Sequence, residues 1–484
     1  MKHRFLRVVL CLSALAAAPA RAADKPNLII INIDDLGYAD IGPFGSKLNR
    51  TPNLDRMAAE GRKLTCFYAA PVCSPSRAAL MTGCYPKRVF PIGGVLFPSA
   101  AVGLNPKERT VAEVLKSAGY ATACIGKWHL GDQPEFLPTR QGFDYFLGLP
   151  YSHDMGPAGD GIKSSLGEKL RKPKADAATD DDTAEVGIRG TQPPLPLVEN
   201  EKVIAHMKQE ELQGMVKRYT EAAVKFIRAN KDKPFFLYLP HSAVHGPLYP
   251  GPDFHGKSAN GLMGDWIEEV DWSVGRVLDT LRELKLDATT CVIFTSDNGG
   301  PARSVNAPLR GNKGSTWEGG MREPTIAWWP GKIPANTATA EITGMIDVLP
   351  TFAGLAGAEL PADRKIDGRD IWPLLGGEAG AKSPHDRFYY FRGLILEAVR
   401  SGPWKLHLKK TELYHLDADI GETTDVASAH PDVVKRLQAL AEEMNGDLGN
   451  NKPLGPGCRP LGRVENPQPL ISRDGKVRAG FEPD

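Results

Sequence analysis

NLIIINIDD, residues 27–35, is a run rich in leucine and isoleucine that ends in two aspartates. Strands covered on both faces of a sheet read as continuous apolar runs, so this stretch predicts such a strand. Three more runs share this character: ATACI (121–125), PFFLYL (234–239) and CVIFT (291–295). Amphipathic helical patterns lie between the runs, at 110–119, 215–230 and 266–284. The alternation predicts an α/β fold, with a mostly parallel sheet sandwiched by helices.

The sequence patterns divide the chain into regions. Residues 23–384 carry the α/β pattern, whereas short strand-like segments and one helical pattern follow in 385–446. We expect that second part to form a smaller C-terminal α+β subdomain. Residues 155–200 lack apolar periodicity and predict a surface insertion, and residues 447–484 form a tail rich in Gly and Pro.

The first 22 residues have the pattern of a signal peptide. A basic start with Lys2, Arg4 and Arg7 precedes an apolar run and the sequence Ala20-Arg21-Ala22, which is typical of a cleavage site. The pattern predicts an exported protein, periplasmic or secreted, with no membrane anchor. Lys and Arg total 59 and Asp and Glu total 58, a balance that does not indicate nucleic acid as a partner. The oligomeric state stays open.

Seven cysteines in 484 residues are too sparse for a disulfide scaffold. Cys124 and Cys291 lie in apolar runs and are expected to be small core residues. Cys66 and Cys84 could pair, but their spacing alone does not show it. Cys73 is different, because Ser, Pro and Arg follow it.

Polar residues follow each predicted strand. Asp34-Asp35, Lys127 with His129, His241 with His245, and Asp297-Asn298 come after the four runs in turn. Ligands of open α/β sheets bind outside the carboxyl ends of the strands, so we expect these residues to meet at one edge. The oxygen ligands suit Ca²⁺, or Mg²⁺ as the alternative, better than zinc. The candidate metal ligands are Asp34, Asp35, Asp297 and Asn298.

VCSPSRAALMTG, residues 72–83, predicts a short helix. Pro75 suits a first helical turn and Gly83 suits the residue after the last one. Cys73 would then lie at a helix N-terminus, which favours an anion, with Arg77 one turn later. The alternative is an ordinary helix start with a buried thiol.

These motifs resemble the type I sulfatases of the alkaline-phosphatase superfamily. Cys73-Ser74-Pro75-Ser76-Arg77 matches the C-x-P-x-R core of that family, and GKWHLG (126–131) matches a second signature. The similarity runs from about residue 26 to the low 400s. GLPYSHDMG (148–156) and GNKGSTWEGGMREP (311–324) look most like the arylsulfatase A and N-acetylgalactosamine-6-sulfatase branch.

The resemblance implies a role for the thiol. In this family the motif cysteine is oxidised by a maturation enzyme to formylglycine (3-oxoalanine), whose aldehyde hydrates to a diol. One hydroxyl attacks sulfur and expels the alcohol, and the other then allows sulfate to leave. The activity implied is hydrolysis of sulfate esters, of aryl sulfates in vitro and a sulfated carbohydrate in nature.

The resemblance also assigns roles residue by residue. The cation would bind the four oxygen ligands together with the oxygen of the modified residue 73. Arg77 would hold the hydrate, Lys127 and Lys313 would bind sulfate oxygens, and His129 would assist the elimination step. His245 would protonate the leaving alcohol. Ser152 matches a serine that contacts sulfate, with His153 beside it.

Several residues keep two interpretations. His241 departs from the branch and could support the site or line the substrate pocket, and Trp317 and Glu318 could line the entrance or serve packing. His206, His255 and His407 are expected to be ordinary surface or packing residues. Basic residues of the insertion form a candidate patch for an acidic sugar: Lys163, Lys169, Arg171, Lys172 and Lys174.

Two other functions remain as alternatives. One is a phosphate or phosphonate ester hydrolase of the same superfamily, and the other is a non-catalytic exported binding protein that keeps the fold. The complete C-x-P-x-R motif argues against the first, and the filled catalytic positions argue against the second.

Overall fold

A computed structural model describes residues 25–170 and 185–483. The predicted signal peptide at 1–22 and the insertion residues Arg171, Lys172 and Lys174 lie outside the described residues. The strands, in chain order, are β1 (Asn27–Ile33), β2 (Arg62–Tyr68), β3 (Val102–Gly103), β4 (Ala121–Lys127), β5 (Tyr145–Leu149), β6 (Leu195–Glu199), β7 (Lys202–Met207), β8 (Phe235–His241), β9 (Thr290–Ser296), β10 (Arg322–Trp328), β11 (Thr337–Thr339), β12 (Thr343–Gly344), β13 (Phe388–Arg392), β14 (Ile395–Ser401), β15 (Trp404–His407), β16 (Glu412–His415) and β17 (Gly462–Arg463).

The helices follow the same order. They are α1 (Pro52–Glu60), α2 (Cys73–Thr82), α3 (Pro86–Val89), α4 (Val111–Ser117), α5 (Gln209–Leu212), α6 (Met215–Ala229), α7 (Gly261–Glu283), α8 (Glu318–Met321), α9 (Val348–Ala356), α10 (Trp372–Leu375) and α11 (Pro431–Leu448). The three predicted helices correspond to α4, α6 and α7, and α7 begins at Gly261 rather than at residue 266. None of the helices in the described ranges combines the length and the apolar character that crossing a membrane requires.

The main sheet has eleven strands within the described residues, and its centre is parallel. Five adjacent strands, in the order β9-β1-β8-β4-β5, run in one direction. These include all four strands predicted from apolar runs. The remaining strands lie at the two edges, where β10 pairs antiparallel with β9 and β6 pairs antiparallel with β5. The α/β fold class is therefore confirmed.

Helices cover both faces of the sheet and enclose two hydrophobic cores. Leu28 and Ile30 of β1 belong to the core that also contains buried residues of α2, α4 and α9. Ile29 and Ile31 belong to the other core, with residues of α1, α6 and α7. Since alternate residues of one strand enter opposite cores, the continuous apolar run of β1 follows directly from its central position.

The C-terminal part forms the expected smaller α+β unit. Strands β13 to β16 make a four-stranded antiparallel sheet, and α11 packs against β14 and β15. The chain after α11 then returns to the main domain, where β17 pairs with β3. Within the segment 155–200, residues Leu195–Glu199 form β6 of the main sheet, a strand that the sequence patterns do not single out.

Glu318 joins the two units. Its buried carboxylate accepts hydrogen bonds from the hydroxyls of Tyr68 (2.7 Å) and Tyr390 (3.1 Å). Lys405 Nζ lies 2.9 Å from Oε1, and Arg322 Nη1 lies 3.2 Å from Oε2. Tyr68 and Arg322 belong to the main sheet, whereas Tyr390 and Lys405 belong to the small one. The packing interpretation of Glu318 therefore holds.

Trp317 also serves packing between the units. Its ring lies 3.9 Å from the ring of His407, and the guanidinium carbon of Arg310 lies 3.7 Å from its centroid. His407 is buried, with Nε2 2.9 Å from Glu422.

The cysteines within the described residues are free thiols. Cys124 and Cys291 are fully buried in the core, as predicted. Cys66 and Cys84 do not pair. Cys66 Sγ accepts a hydrogen bond from Arg400 Nη1 at 2.8 Å, and Cys84 Sγ accepts one from Arg459 Nη2 at 3.3 Å.

Replacing Glu318 with glutamine (Glu318→Gln) should lower the free energy of unfolding by about 3–5 kcal/mol, because buried Arg322 would lose its carboxylate partner and buried Lys405 would lose one of its two. Equilibrium unfolding in urea measures this loss. Glu443→Gln is the matched control, since Glu443 pairs with Arg387 at 2.8 Å at the surface, where ion pairs contribute little. Equal losses in both variants would show that the Glu318 contacts do not hold the units together.

Candidate active site

Asp34 and Asp35 follow β1 directly and are both buried. The backbone of Asp34 is fixed on both sides, because its N–H donates to Ala243 O at 2.9 Å and its carbonyl accepts from Val244 N at 2.7 Å. Asp35 has a positive φ of 67°, a left-handed conformation that few non-glycine residues adopt. The strand therefore ends in a sharp change of direction that presents two consecutive carboxylates.

Asp297 and Asn298 reach the same place from the next strand. In the parallel register of β1 and β9, Ile33 lies opposite Ser296, so the two acidic strand ends are neighbours. Asn298 Nδ2 donates to Asp35 Oδ1 at 2.8 Å, and the Asp35 N–H lies 3.3 Å from Asp297 Oδ1. The four predicted metal ligands thus form one cluster.

Cys73 is the first residue of α2 and is buried. The preceding Val72 is extended, and Gly83 ends the helix with a left-handed φ of 68°, as the sequence predicts. The Cys73 thiol and carboxylate oxygens of Asp34 and Asp297 all lie within 4.8 Å of one another. The helix N-terminus therefore faces the acidic cluster.

Arg77 is fully buried beside this cluster. Its Nη2 lies 2.8 Å from Asp297 Oδ2 and 3.9 Å from Asp34 Oδ2. Its Nη1 donates to the carbonyl of Lys127 at 2.5 Å. The guanidinium thus ties α2 to the ends of β9 and β4.

Two lysines contact the aspartates. Lys127 Nζ lies 2.5 Å from Asp34 Oδ2, and Lys313 Nζ lies 2.6 Å from Asp35 Oδ1. Lys127 follows Gly126, whose φ is 136°. A Cβ on Gly126 would lie 1.9 Å from Pro240 O in β8, so only glycine allows the strands to approach this closely.

The two predicted histidines occupy different positions. His129 has a positive φ of 64°, and its Nε2 donates to Leu96 O at 2.9 Å, which leaves the buried Nδ1 without a hydrogen-bond partner among the described residues. His245 Nε2 lies 3.7 Å from Asp35 Oδ2. His245 therefore borders the acidic cluster directly.

The PYSHD segment adds three residues after β5. Ser152 is buried, and its hydroxyl has no hydrogen-bond partner among the described residues. The His153 ring meets the His245 ring edge-on at 5.5 Å. Asp154 Oδ1 lies 3.9 Å from His245 Nδ1. Asp154 was not singled out in the sequence, although it stands in the motif that was.

Arg303 is a second residue of the site that the sequence patterns do not single out. It lies in the loop after Asp297-Asn298, and its Nη2 is 3.6 Å from Asp35 Oδ2. In the sequence it appears only as a basic residue shortly after a predicted strand.

His241 does not belong to the site. It is fully buried, and its Nε2 lies 3.0 Å from the Ser273 hydroxyl of α7. Its ring packs beside Tyr219 of α6, so its role is in the core. Among the other histidines, His206 contacts Asp160 at 2.6 Å and His255 is exposed.

The charges in this cluster perturb one another strongly. Burial works to raise the pKa of Asp34, but Lys127, His245 and Arg77 outweigh it and hold that pKa well below its usual range. Burial and the Asp34 carboxylate raise the pKa of Asp297 to about 6. Burial also raises the pKa of the Cys73 thiol. Lys127, Lys313 and Arg77 thus place three positive charges beside the three carboxylates of this buried cluster.

The cluster suits a hard divalent cation. Asp34 Oδ1 and Asn298 Oδ1 are buried and lack hydrogen-bond partners among the described residues. Buried oxygens of this kind are rare unless something binds them. A set of carboxylate and amide oxygens is the ligand set of Ca²⁺ and Mg²⁺, so the residues present fit such an ion.

Comparisons with known proteins agree with this geometry. The profile of the sulfatase family matches residues 26–358. Human arylsulfatase A is 39% identical, over 91% of this chain and 85% of its own length. Canine N-acetylgalactosamine-6-sulfatase is 33% identical, over 95% of this chain and 96% of its own. Mouse steryl-sulfatase is 37% identical, over 93% of this chain and 82% of its own.

Solved structures show the same relationship. The crystal structure of the PsFucS1 sulfatase from Pseudoalteromonas sp. superposes with a TM-score of 0.77 at 29% identity, covering 89% of this chain and 92% of that one. A phosphonate monoester hydrolase from Silicibacter pomeroyi, at 17% identity and a TM-score of 0.62, shares the fold alone. The family match, the relatives and the clustered motif residues lead to one conclusion: the chain belongs to the sulfatase family and is a sulfuric ester hydrolase.

Proposed function

We propose that the chain is an exported sulfatase that uses a formylglycine made from Cys73 and a divalent cation, preferably Ca²⁺. The observation that carries the proposal is the position of Cys73 within 4.8 Å of ligand oxygens of both Asp34 and Asp297. Its thiol is buried near the charges of Lys127, Lys313 and Arg77. A formylglycine-generating enzyme would convert this thiol to the aldehyde of formylglycine.

The oxygen ligands provide the cation site. Asp34, Asp35, Asp297 and Asn298 would hold the ion, which supplies positive charge against the sulfate as negative charge develops in the transition state. The lysines now pair with Asp34 and Asp35. Once those carboxylates bind a cation, both ammonium groups become available for the oxygens of the sulfate. Cation binding and sulfate binding are therefore expected to support each other.

Arg77 and His129 would serve residue 73. Formylglycine supplies a hydrated aldehyde, in which one hydroxyl is the nucleophile and the other provides the route for release of sulfate. Arg77, held by Asp297 and the Lys127 carbonyl, would fix the orientation of residue 73. Burial and Lys127 hold the pKa of His129 well below its usual range, so its ring is neutral and Nδ1 carries the lone pair that would accept a proton in the second step.

His245 would donate a proton to the leaving alcohol. Burial and Lys313 lower the pKa of its ring, but a sulfate ester bound beside it adds negative charge and favours the protonated form. Asp154, 3.9 Å from Nδ1, supports that form from the other side. Ser152, with its unpartnered hydroxyl, is a further candidate contact for the sulfate.

Membership of the family identifies the sulfate group of the substrate but not the alcohol to which that sulfate is esterified. The relatives are named for a steroid, an aryl group and an amino sugar. One similar structure, at 30% identity and a TM-score of 0.70, was determined in complex with a neocarrahexaose. We propose a sulfated carbohydrate as the natural substrate, with aryl sulfates turned over in vitro. No specific observation favours a phosphate ester or a purely binding role.

Maturation of Cys73 can be detected in a tryptic peptide. Trypsin should release LTCFYAAPVCSPSR, residues 64–77, and in active protein the peptide should carry an aldehyde at position 73, detected by mass spectrometry and hydrazide labelling. Cys73→Ala should abolish hydrolysis of 4-nitrophenyl sulfate with the fold intact, whereas Cys458→Ala should retain both aldehyde and activity. Fully active enzyme that contains only unmodified Cys73 would refute the proposal.

Activity should depend on the cation and on its carboxylate ligands. Asp34→Asn and Asp297→Asn should each reduce kcat by at least about a hundredfold, since charge stabilisation dominates such sites. Prolonged chelation should inactivate the wild-type chain, and Ca²⁺ should restore it. Asp279→Asn, at a half-exposed position on α7, is the control and should leave kcat unchanged. Full activity after the metal has been removed, verified by elemental analysis, would contradict the cation site.

The leaving group of the ester should distinguish the role of His245 from that of the lysines. His245→Ala should slow esters of poor leaving groups, such as sugar sulfates, far more than 4-nitrophenyl sulfate, because a good leaving group needs little protonation. The dependence of kcat/KM on the pKa of the leaving group measures the effect. Lys313→Ala should reduce all esters similarly, because it contacts the common sulfate. A uniform loss in His245→Ala would remove His245 from the role of proton donor.

A further inference from the structure

A polar cleft opens beside the sulfate site. Its volume is about 360 Å³, within the roughly 300–1,000 Å³ typical of small-molecule sites. Its polar lining consists of Asp154, Lys163, Ser165, Glu168 and Arg303. Asp154 borders His245, the candidate donor to the leaving alcohol, so the cleft begins where the alcohol part of a sulfate ester would emerge.

Arg303 connects the cleft with the cation site. Its Nη2 lies 3.6 Å from Asp35 Oδ2 and donates to Val244 O at 3.2 Å. The side chain is 37% exposed, whereas the side chains of Arg77 and Lys127 are fully buried. In the proposed site Arg77 serves residue 73 and Lys127 serves the hydrolysed sulfate. Arg303 is a more exposed basic side chain, which can meet the rest of a substrate at the mouth of the site.

The backbone holds the guanidinium in place. A Cβ on Gly246 would lie 2.9 Å from Nη1, 3.1 Å from Cζ and 3.2 Å from Nη2 of Arg303. The planar group therefore lies against the glycine backbone, and this contact limits its rotation. A guanidinium with a fixed orientation suits a planar or tetrahedral anion that accepts two parallel hydrogen bonds.

The rest of the cleft lining contains both donors and acceptors. Lys163 Nζ donates to Gln192 Oε1 at 2.6 Å and to the Asp154 carbonyl. Glu168 accepts from the Ser165 N–H at 3.1 Å. Carboxylates balance the positive charge on this side, so it suits a hydroxylated ring. A preference for an anion is confined to the end with Arg303.

We propose that this cleft binds the alcohol part of the sulfate ester and that Arg303 pairs with a second anionic group on it, a sulfate or carboxylate at a neighbouring ring position. The inference rests on the proposed function, because it places the hydrolysed sulfate at the cation. It assigns the chain to multiply anionic substrates. Of the basic insertion residues, Lys163 contributes to the cleft.

Calorimetric titration tests this assignment without turnover. The full-length Cys73→Ala chain, saturated with Ca²⁺, is titrated with phenyl sulfate and with 1,2-phenylene disulfate, which differ only in a neighbouring sulfate. The disulfate should bind at least about tenfold more tightly, equivalent to about 1.4 kcal/mol. This preference should shrink as salt is added.

Variants show whether Arg303 produces the preference. Arg303→Gln in the same background should bind the two probes with nearly equal affinity, and Arg303→Lys should keep part of the preference. Arg436→Gln, at an exposed position on α11, should keep all of it. The proposal is overturned if the parent chain shows no preference, or if Arg303→Gln retains it. Turnover of 4-nitrophenyl sulfate by the chain with Cys73 tests the proposed function separately.

Discussion

The site depends on the burial of opposite charges at the carboxyl ends of parallel strands. The side chains of Asp34, Arg77, Lys127 and Asp297 are all fully buried and lie within ion-pair distance in a chain of contacts. An unpaired ion in such a place costs several kcal/mol, so each of these charges constrains the position of the next. The chemistry of the site and the order of the strands are therefore parts of one arrangement.

The rest of the fold supports this arrangement. The order β9-β1-β8-β4-β5 brings five strand ends together, and α2 enters the gap with its N-terminus toward the carboxylates. Lys313 lies on a loop whose end is fixed by Glu318 at the interface with the C-terminal subdomain. The subdomain therefore contributes to the site indirectly, because the contacts of Glu318 hold the loop that carries Lys313.

Most of the site could be predicted from the sequence because it follows strand ends. The run at 27–33 coincides with β1, because a strand covered on both faces of a sheet is apolar along its whole length. Once the strands were placed, Asp34, Lys127 and Asp297 had to meet at one edge. The roles of Cys73 and His129 needed the family resemblance, because a helix start and a glycine-rich turn do not define a reaction.

Contacts made by loops could not be predicted in this way. Asp154 and Arg303 approach the site from loops whose paths no periodicity fixes. His241 follows the same strand pattern as His245, yet its ring turns toward Ser273 in the core. The sequence left Glu318 between an entrance role and a packing role, because Tyr68, Tyr390 and Lys405, which contact it, lie more than 70 residues away in the sequence.

We infer that the oxygens of the acidic cluster hold one divalent cation next to a modified residue 73. A crystal structure of the active chain grown with Ca²⁺, with anomalous scattering to identify the metal, tests it most directly. We expect one calcium peak at about 2.3–2.6 Å from oxygens of Asp34, Asp35, Asp297 and Asn298, and density for an aldehyde hydrate at position 73. Two metal ions with histidine ligands, or an unmodified thiol in active crystals, would contradict it.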